Sequence, residues 1–293
     1  MASERKRRRG DRRDGRRLRS LDPLYELTPY IMKVKSESSN YFSDSIDISG
    51  IESYLRGLRR QGYPGLGILH LFVAGYLRVV SQYPGLNRFI SGQRIFARNN
   101  IEFIMMIKKE MKTTAGETSI KVVFTVDDTI FDVYKKINAE VEKIKNEGEV
   151  TDTDDVAKTL MKLPRFLLRF AVYVLTKMDY FGKLPKSIEK ASPFHGSVMI
   201  TDLGSISMPA VYHHLYDFGN IPMFIAIGTK RRAFEIEPDG VVSQHKYIDY
   251  RLTIDERICD GFYFSQAMKM FRRIIRQPEM LETSPTSVVE DVD

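Results

Sequence analysis

Hydrophobic positions recur along this chain in two different periods, which predicts helices and strands interleaved in one fold. A period near 3.6 residues indicates a helix, and alternation or a short apolar run indicates a strand. The helical periods fall on 49–62, 66–83, 130–146 and 156–180. The strand patterns fall on 89–96, as a hairpin with Gly92 in the turn, and on 101–107, 118–125, 197–201, 223–228, 233–237 and 241–254. We therefore expect an α/β or α+β domain built around one sheet, without internal repeats.

The segment 156–180 is a long apolar helical pattern broken at Pro164. Arg165, Arg169 and Lys177 interrupt it, so no uncharged run reaches the roughly 18 residues that a membrane span needs. We interpret the segment as a buried core helix in preference to a helix on a membrane surface. The sequence thus predicts no membrane span.

Charge is distributed very unevenly along the chain. The net charge is +7, and residues 1–20 account for all of it, with ten Lys or Arg against three acids. Residues 281–293 carry four acids and no base. Because both ends are charge-biased and poor in apolar residues, we predict a basic disordered arm over 1–20 and an acidic disordered tail over 281–293. The folded domain is then expected over 21–280.

Composition is that of an ordinary soluble protein, with 293 residues, 43% hydrophobic and 28% charged. The single cysteine, Cys259, excludes a disulfide framework within the chain and any cluster of cysteine metal ligands. We interpret it as a small buried apolar residue. The N-terminus lacks the apolar segment of a secretory signal, so we expect a cytoplasmic protein.

The most informative motif is Asp255-Glu-Arg-Ile-Cys-Asp-Gly261, which joins the strand pattern 241–254 to a helical pattern over 262–271. This strand, turn and helix resemble the catalytic signature of the superfamily of chloramphenicol acetyltransferase and the dihydrolipoyl acyltransferases of 2-oxoacid dehydrogenase complexes. That signature is His-x-x-x-Asp-Gly, and its histidine is the general base. Glu256 occupies the histidine position in this chain.

Further segments are similar to the same superfamily, in the same order, over about residues 28–277. They are Asp47-Ile-Ser49, Tyr83-Pro-Gly-Leu-Asn87, Ser197-Val-Met-Ile-Thr-Asp-Leu-Gly204 and Pro222-Met-Phe-Ile-Ala-Ile-Gly228. The resemblance implies a chloramphenicol acetyltransferase-like α/β two-layer sandwich with a large mixed sheet. It also implies a homotrimer with active sites between subunits. The chain would be a catalytic domain standing alone, without lipoyl or peripheral-subunit-binding domains.

The resemblance implies roles for individual residues. Thr201 occupies the position of the hydroxyl that donates to the oxyanion of the tetrahedral intermediate. Asp260 and Gly261 are structural, and Asp260 would pair with Lys33 or Lys35 near the start of the chain. Acyl-CoA is the implied co-substrate, with no tightly bound cofactor. The acceptor is unknown and includes a lipoyl protein acting in trans.

Glutamate at the base position leaves the chemistry open. A carboxylate is a weaker base than imidazole near neutral pH, and its charge opposes a developing oxyanion. His213 and His214 are alternative bases, because the corresponding family loop lies near the acceptor. The two histidines lack a third ligand, so we expect no metal site.

Three hypotheses about function follow from these residues. The first is an acyl-CoA-dependent acyltransferase whose activity is weak or lost. The second is a non-catalytic, coenzyme A-binding or trimeric scaffold protein, which would be a pseudoenzyme. The third is a binder of anionic polymers through the arginine-rich arm. We do not expect nucleic-acid recognition, because no aromatic residue is interleaved with the arginines before Tyr25.

Overall fold

The structure is a computed structural model that describes residues 7–108, 117–147 and 152–293. Its strands are β1 (Gly15–Arg17), β2 (Ser39–Asp47), β3 (Arg88–Ser91), β4 (Arg94–Arg98), β5 (Ile101–Lys108), β6 (Glu117–Phe124), β7 (Val198–Asp202), β8 (Met223–Ile236) and β9 (Val242–Asp255). Its α-helices are α1 (Pro23–Ile31), α2 (Ile51–Arg60), α3 (Ile68–Val80), α4 (Ile130–Glu147), α5 (Asp152–Met161), α6 (Arg165–Tyr180), α7 (Lys186–Ala191) and α8 (Gly261–Arg276).

The strands form one large mixed sheet and one small sheet. The large sheet has the order β2-β9-β8-β7-β5-β6, and the small sheet has the order β1-β4-β3. In the large sheet, β7 is parallel to both β5 and β8, whereas the other neighbouring pairs are antiparallel. The fold is therefore α/β with a large mixed sheet, as predicted.

Helices cover one face of the large sheet and form the main core with it. Helices α2, α3, α4 and α8 supply its helical residues, and strands β5 to β9 supply most of the remainder, together with Ile46 of β2 and a few residues of connecting segments. Helix α3 is buried on almost every side, which explains why its sequence is apolar all round. Residues of β5, β7 and β8 on the opposite face form only a small cluster with Leu215 and Ile221. Helix α7 meets this second side at β6, where Lys121 donates to the Glu189 carbonyl oxygen. We call the part over β7 and β8 the helix-free face.

Most predicted elements are present, and the differences have local causes. The helix predicted over 49–62 begins only at Ile51, because the Ser49 hydroxyl donates to Asp47 and Gly50 stands at the N-cap. The strand patterns 223–228 and 233–237 are one continuous strand, β8, with an irregularity after Ile227. Strands β1 and β2 and helices α1 and α7 were not predicted. Strand β2 is half exposed, so apolar and polar residues alternate only weakly along its sequence, and the pattern gave no strand signal.

The prediction that 156–180 is a core helix is wrong in this structure. Within α6, Asp179 is buried, whereas Phe166 is 71% exposed and Phe170 is 64% exposed. Apolar content alone led to the prediction, and it does not say which surface an apolar helix meets. Among the residues that the structure describes, no helix is both long and apolar enough to cross a bilayer.

The prediction of a disordered arm is wrong for residues 7–20. Strand β1 pairs with β4, and Leu18 is 2% exposed. Arg12 is buried and donates to the Asp14 carboxylate at 2.9 Å and to the Asp179 carbonyl oxygen at 2.8 Å. Composition suggested disorder because the number of charged residues in a segment does not show whether they form ion pairs in the folded protein. Residues 1–6 of the expected arm lie outside the described part of the chain.

The C-terminal segment is likewise ordered, because it meets the basic N-terminal segment. Arg16 donates to the carbonyl oxygens of Asp291 and Val292, and the backbone N–H of Arg19 donates to Asp293. Arg88 forms a buried salt bridge with Asp291. The opposite charges of the two ends therefore pair with each other and with the domain.

Replacing Arg12 with glutamine should lower the free energy of unfolding by about 2 kcal/mol. The substitution removes a charged partner from the buried Asp179 carboxylate, which then relies on His195. Urea denaturation would measure the loss. Arg9→Gln is the control, because Arg9 is exposed, and it should change stability by less than about 0.5 kcal/mol. Equal stability of the two variants would contradict this role of the N-terminal segment.

Candidate functional site

The motif that contains Glu256 links the end of β9 to the start of α8. The Asp260 side chain caps α8 by accepting a hydrogen bond from the backbone N–H of Tyr263 at 2.8 Å. Gly261 is the first residue of the helix and has open space where a side chain would stand. Sequence reasoning correctly placed this strand, turn and helix.

The turn is held by a buried ion pair that lies on either side of Glu256. Arg257 donates from Nε to Asp255 Oδ1 at 2.8 Å and from Nη2 to Asp255 Oδ2 at 2.7 Å. Both side chains are at most 3% exposed. The hydroxyl of Ser38 also donates to Asp255, and the Met32 carbonyl oxygen accepts from Arg257 Nη1. A bidentate pair with further hydrogen bonds fixes the geometry of the turn.

The expected partner of Asp260 is not found where the family suggested it. Among the described residues, neither Lys33 nor Lys35 forms a salt bridge with Asp260. Lys35 is 6% exposed and donates from Nζ to the carbonyl oxygen of Gly219 at 2.5 Å. The backbone N–H of Lys33 donates to Glu37. Asp260 remains a structural residue, but its role is to cap α8.

Glu256 itself lies at a partly exposed position beside strand β2. Its Oε2 accepts a hydrogen bond from Asn40 Nδ2 at 2.7 Å, and its backbone N–H donates to the Ser38 carbonyl oxygen at 2.9 Å. The carboxylate is therefore oriented by a neutral amide. Neighbouring strand residues point to opposite faces, and Asp255 is engaged with Arg257 on the other side.

Thr201 lies on the helix-free face, far from Glu256 of the same chain. Thr201 pairs with Ala226 of β8, which pairs with Arg251 of β9. Glu256 follows Arg251 by five residues along the chain. Two strand spacings and five residues of extended chain separate the two positions by roughly 20 Å. One chain does not bring its own Thr201 and Glu256 together.

His213 and His214 lie in the segment that crosses the helix-free face. The His213 ring stacks on Phe224 at 4.2 Å between ring centres, and its carbonyl oxygen accepts a hydrogen bond from the Thr253 hydroxyl. Burial, and then the charge of neighbouring His214, lower the pKa of His213. His214 packs against Tyr216. The structure thus places both histidines on the same face as Thr201.

The other titratable candidates have structural surroundings. His70 is in the core, and burial lowers its pKa to about 4. His195 is buried between Asp179 and Ser192. Cys259 is buried, as predicted, and burial raises its pKa to about 12. Within the described ranges, no group of three His, Cys, Asp or Glu side chains is arranged to hold a metal ion.

A cavity of about 580 Å³ lies beside strands β5 and β6. It is lined by charges of both signs, among them Arg98, Glu102, Lys121 and Glu189. None of Glu256, Thr201, His213 and His214 belongs to its lining. The cavity is therefore separate from the residues that the sequence motif singles out.

Lys35 should make stability depend on pH. Burial lowers its pKa to about 8, from an ordinary value of 10.5, so between these pH values the unfolded chain binds a proton that the folded chain releases. The free energy of unfolding should then increase as the pH rises from 8 to 10.5. Denaturation of the wild type and of Lys35→Met across this range would measure it. A difference between the two proteins that does not change with pH would contradict the assignment.

Sequence reasoning missed the residues that support Glu256, namely Ser38, Asn40 and the Asp255–Arg257 pair as a buried unit. The spacing of Asp255 and Arg257 by two along an extended chain was a usable signal, because such residues share a face. Ser38 and Asn40 gave no signal. They reach the site through the pairing of β2 with β9, over more than 200 residues of chain.

Comparison with known proteins found similarity to solved structures. No protein-family model and no curated protein matches the chain. A probable dihydrolipoamide acetyltransferase from Listeria monocytogenes is 14% identical, with a TM-score of 0.57 over 94% of this chain and 99% of that one.

Two further solved structures have the same fold. The dihydrolipoamide acetyltransferase of Azotobacter vinelandii, studied for the role of a serine, a histidine and an asparagine in catalysis, is 12% identical, with a TM-score of 0.51 over 88% of each chain. A chloramphenicol acetyltransferase is also 12% identical, with a TM-score of 0.51 over 88% of this chain and 99% of that one. At such identities the likeness establishes the fold, and this chain therefore has the fold of dihydrolipoamide acetyltransferases and chloramphenicol acetyltransferase.

Proposed function

We propose that this protein descends from acyl-CoA-dependent acyltransferases and retains their two-copy site with a glutamate at the position of the base. The observation that carries the proposal is the placement of Glu256 at the turn between β9 and α8, on a loop fixed by the buried Asp255–Arg257 pair. The catalytic histidine and asparagine of the Azotobacter enzyme are four residues apart. Glu256 and Asp260 have the same spacing.

The separation of Glu256 from Thr201 supports a site shared between copies. A base and an oxyanion donor must both lie within hydrogen-bond reach of one reacting centre, and roughly 20 Å within a chain is too far. A homotrimer in which Glu256 of one copy faces Thr201 of the next would join them. Light scattering after size exclusion tests this. A monomer at micromolar concentration would refute it.

The chemistry proposed for this site is weak acyl transfer or none. An oxyanion donor such as a threonine hydroxyl stabilises the transition state by roughly 3 kcal/mol, and a nearby carboxylate charge opposes that stabilisation. Asn40 Nδ2 already donates to Glu256 Oε2, which engages one of the two oxygens that would have to accept a proton from the acceptor substrate. His213 is the competing base, and its lowered pKa keeps it neutral near pH 7.

Binding and turnover should be measured separately, because the fold would support binding without catalysis. Calorimetric titration with coenzyme A tests binding, and release of free thiol from a panel of acyl-CoA donors tests transfer. Binding with negligible thiol release would support a non-catalytic coenzyme A-binding or scaffold role, which the glutamate favours. Absence of binding to every acyl-CoA would overturn the proposal as a whole.

The third hypothesis, anionic-polymer binding through the arm, receives less support. Several arginines of residues 7–20 are engaged by the protein's own acids, including Arg8 with Asp293 and Arg19 with Asp11. These contacts reduce the number of cations that the segment offers to phosphates. We therefore place any interaction with anions elsewhere on the molecule.

A further inference from the structure

We propose that helix α6 is a membrane-surface helix that docks the protein onto anionic lipid. The feature that carries this inference is a row of exposed apolar side chains, which we call the aromatic stripe. It consists of Leu163, Phe166, Leu167, Phe170 and Tyr173. This inference concerns a surface other than the proposed acyltransferase site, and it does not depend on acyltransferase activity.

The aromatic stripe follows the helical period. Phe166, Phe170 and Tyr173 are spaced by four and three residues, so they share one side of α6. They are 71%, 64% and 59% exposed. Side chains on the opposite side of the helix, such as Leu168 and Leu175, are half-buried. One side of the helix is therefore partly buried, whereas a second apolar side is exposed, and an exposed apolar patch of this kind is typical of an interaction surface.

Cations border the aromatic stripe. Arg165 and Arg169 are exposed and lie one turn apart on its flank. Residues 158–190 contain eight Lys or Arg and two acids, Asp179 and Glu189. Both acids pair with arginines of the N-terminal segment, Arg12 and Arg13. On α6 itself Arg165, Arg169 and Lys177 are exposed, and their positive charge complements anionic headgroups.

Lys177 distinguishes a membrane from a protein partner. It continues the aromatic stripe one turn after Tyr173, with its ammonium 5.5 Å from the centre of that ring. The centre of a protein interface is depleted of lysine, because burying the charge is costly. At a membrane surface a long lysine side chain instead reaches the headgroups while aromatic rings enter the boundary with the acyl chains. A helix of 16 residues is about 24 Å long, enough for this mode of binding but too short to span.

Flotation with lipid vesicles tests the proposal. The full-length protein should bind vesicles of phosphatidylcholine and phosphatidylglycerol, bind pure phosphatidylcholine weakly, and lose affinity as salt is raised. The double substitution Phe166→Ser and Phe170→Ser should lower the partition coefficient about 100-fold, because the loss of each ring should lower it about 10-fold. Arg165→Gln with Arg169→Gln should lower it about 30-fold on the anionic vesicles only.

Phe234→Ser is the matched control, because Phe234 is also 71% exposed but lies in β8. It should bind lipid as the wild type does. Thermal unfolding of each variant verifies folding. Failure of the wild type to bind anionic vesicles, or undiminished binding by the Phe166 and Phe170 variant, would overturn the proposal. So would a smaller oligomer formed by that variant with unchanged lipid binding, which would identify the aromatic stripe as a contact between copies.

Discussion

Replacing Arg257 with methionine should lower the free energy of unfolding by about 3–5 kcal/mol, because it leaves the Asp255 carboxylate buried without its bidentate partner. The pair is at most 3% exposed, and no water layer can screen the remaining charge. Lys35, whose pKa already responds to Asp255, is nearby but donates to Gly219. Urea denaturation followed by circular dichroism would measure the loss.

Two controls make this prediction specific. Arg273→Met makes the same chemical change at an exposed position of α8 and should cost less than about 0.5 kcal/mol. Combining Asp255→Asn with Arg257→Met removes both charges and should be less destabilising than Arg257→Met alone. If the single and double variants lost equal stability, shape rather than charge would explain the role of Arg257.

The second large effect concerns the position of the base. Glu256→His should raise acyl transfer from acetyl-CoA by roughly 10² to 10⁴, the usual contribution of a general base. The imidazole would stand on a turn that Asp255 and Arg257 already fix. Release of free thiol in the presence of candidate acceptors would measure the gain. We expect little turnover from the wild type and none from Glu256→Gln.

Other variants separate the competing bases. If His213 or His214 had taken over the role, Glu256→Gln would leave activity intact, and replacing the acting histidine with alanine would abolish it. Thr201→Val in the Glu256→His background should remove most of the gain, because it deletes the hydroxyl and keeps the shape. Strong wild-type turnover that disappears only in Glu256→Gln would show that the glutamate is an effective base, against our proposal.

The Arg257 and Glu256 predictions concern the same turn between β9 and α8, but the first concerns stability and the second concerns chemistry. Arg257 stabilises the turn, whereas Glu256 is partly exposed and its carboxylate accepts a hydrogen bond from Asn40. A variant of Glu256 should therefore change chemistry with little change in stability. A variant of Arg257 should reduce stability and, by loosening the turn, also reduce any activity of the Glu256→His protein.

The sequence by itself determined the local elements and the class of fold. The apolar run of α3, the hairpin of β3 and β4, and the junction of β9 with α8 follow from periodicity, turn residues and a short motif. These signals are local, because a helix or strand that buries one side must repeat its apolar residues at the matching period. The motif also predicts that Glu256 occupies the position which the resemblance assigns to the base.

Only the tertiary structure decided which distant residues meet and which surfaces stay exposed. Composition suggested two disordered ends, but opposite charges nearly 300 residues apart pair with each other, as in Arg8 with Asp293. Apolar periodicity suggested a core helix over 156–180, but the aromatic stripe of α6 faces outward. A local pattern shows that one side of a segment can be buried, but it does not show which other part of the chain packs against that side. The pairing of charges and the site of burial are set by contacts between segments far apart in the chain.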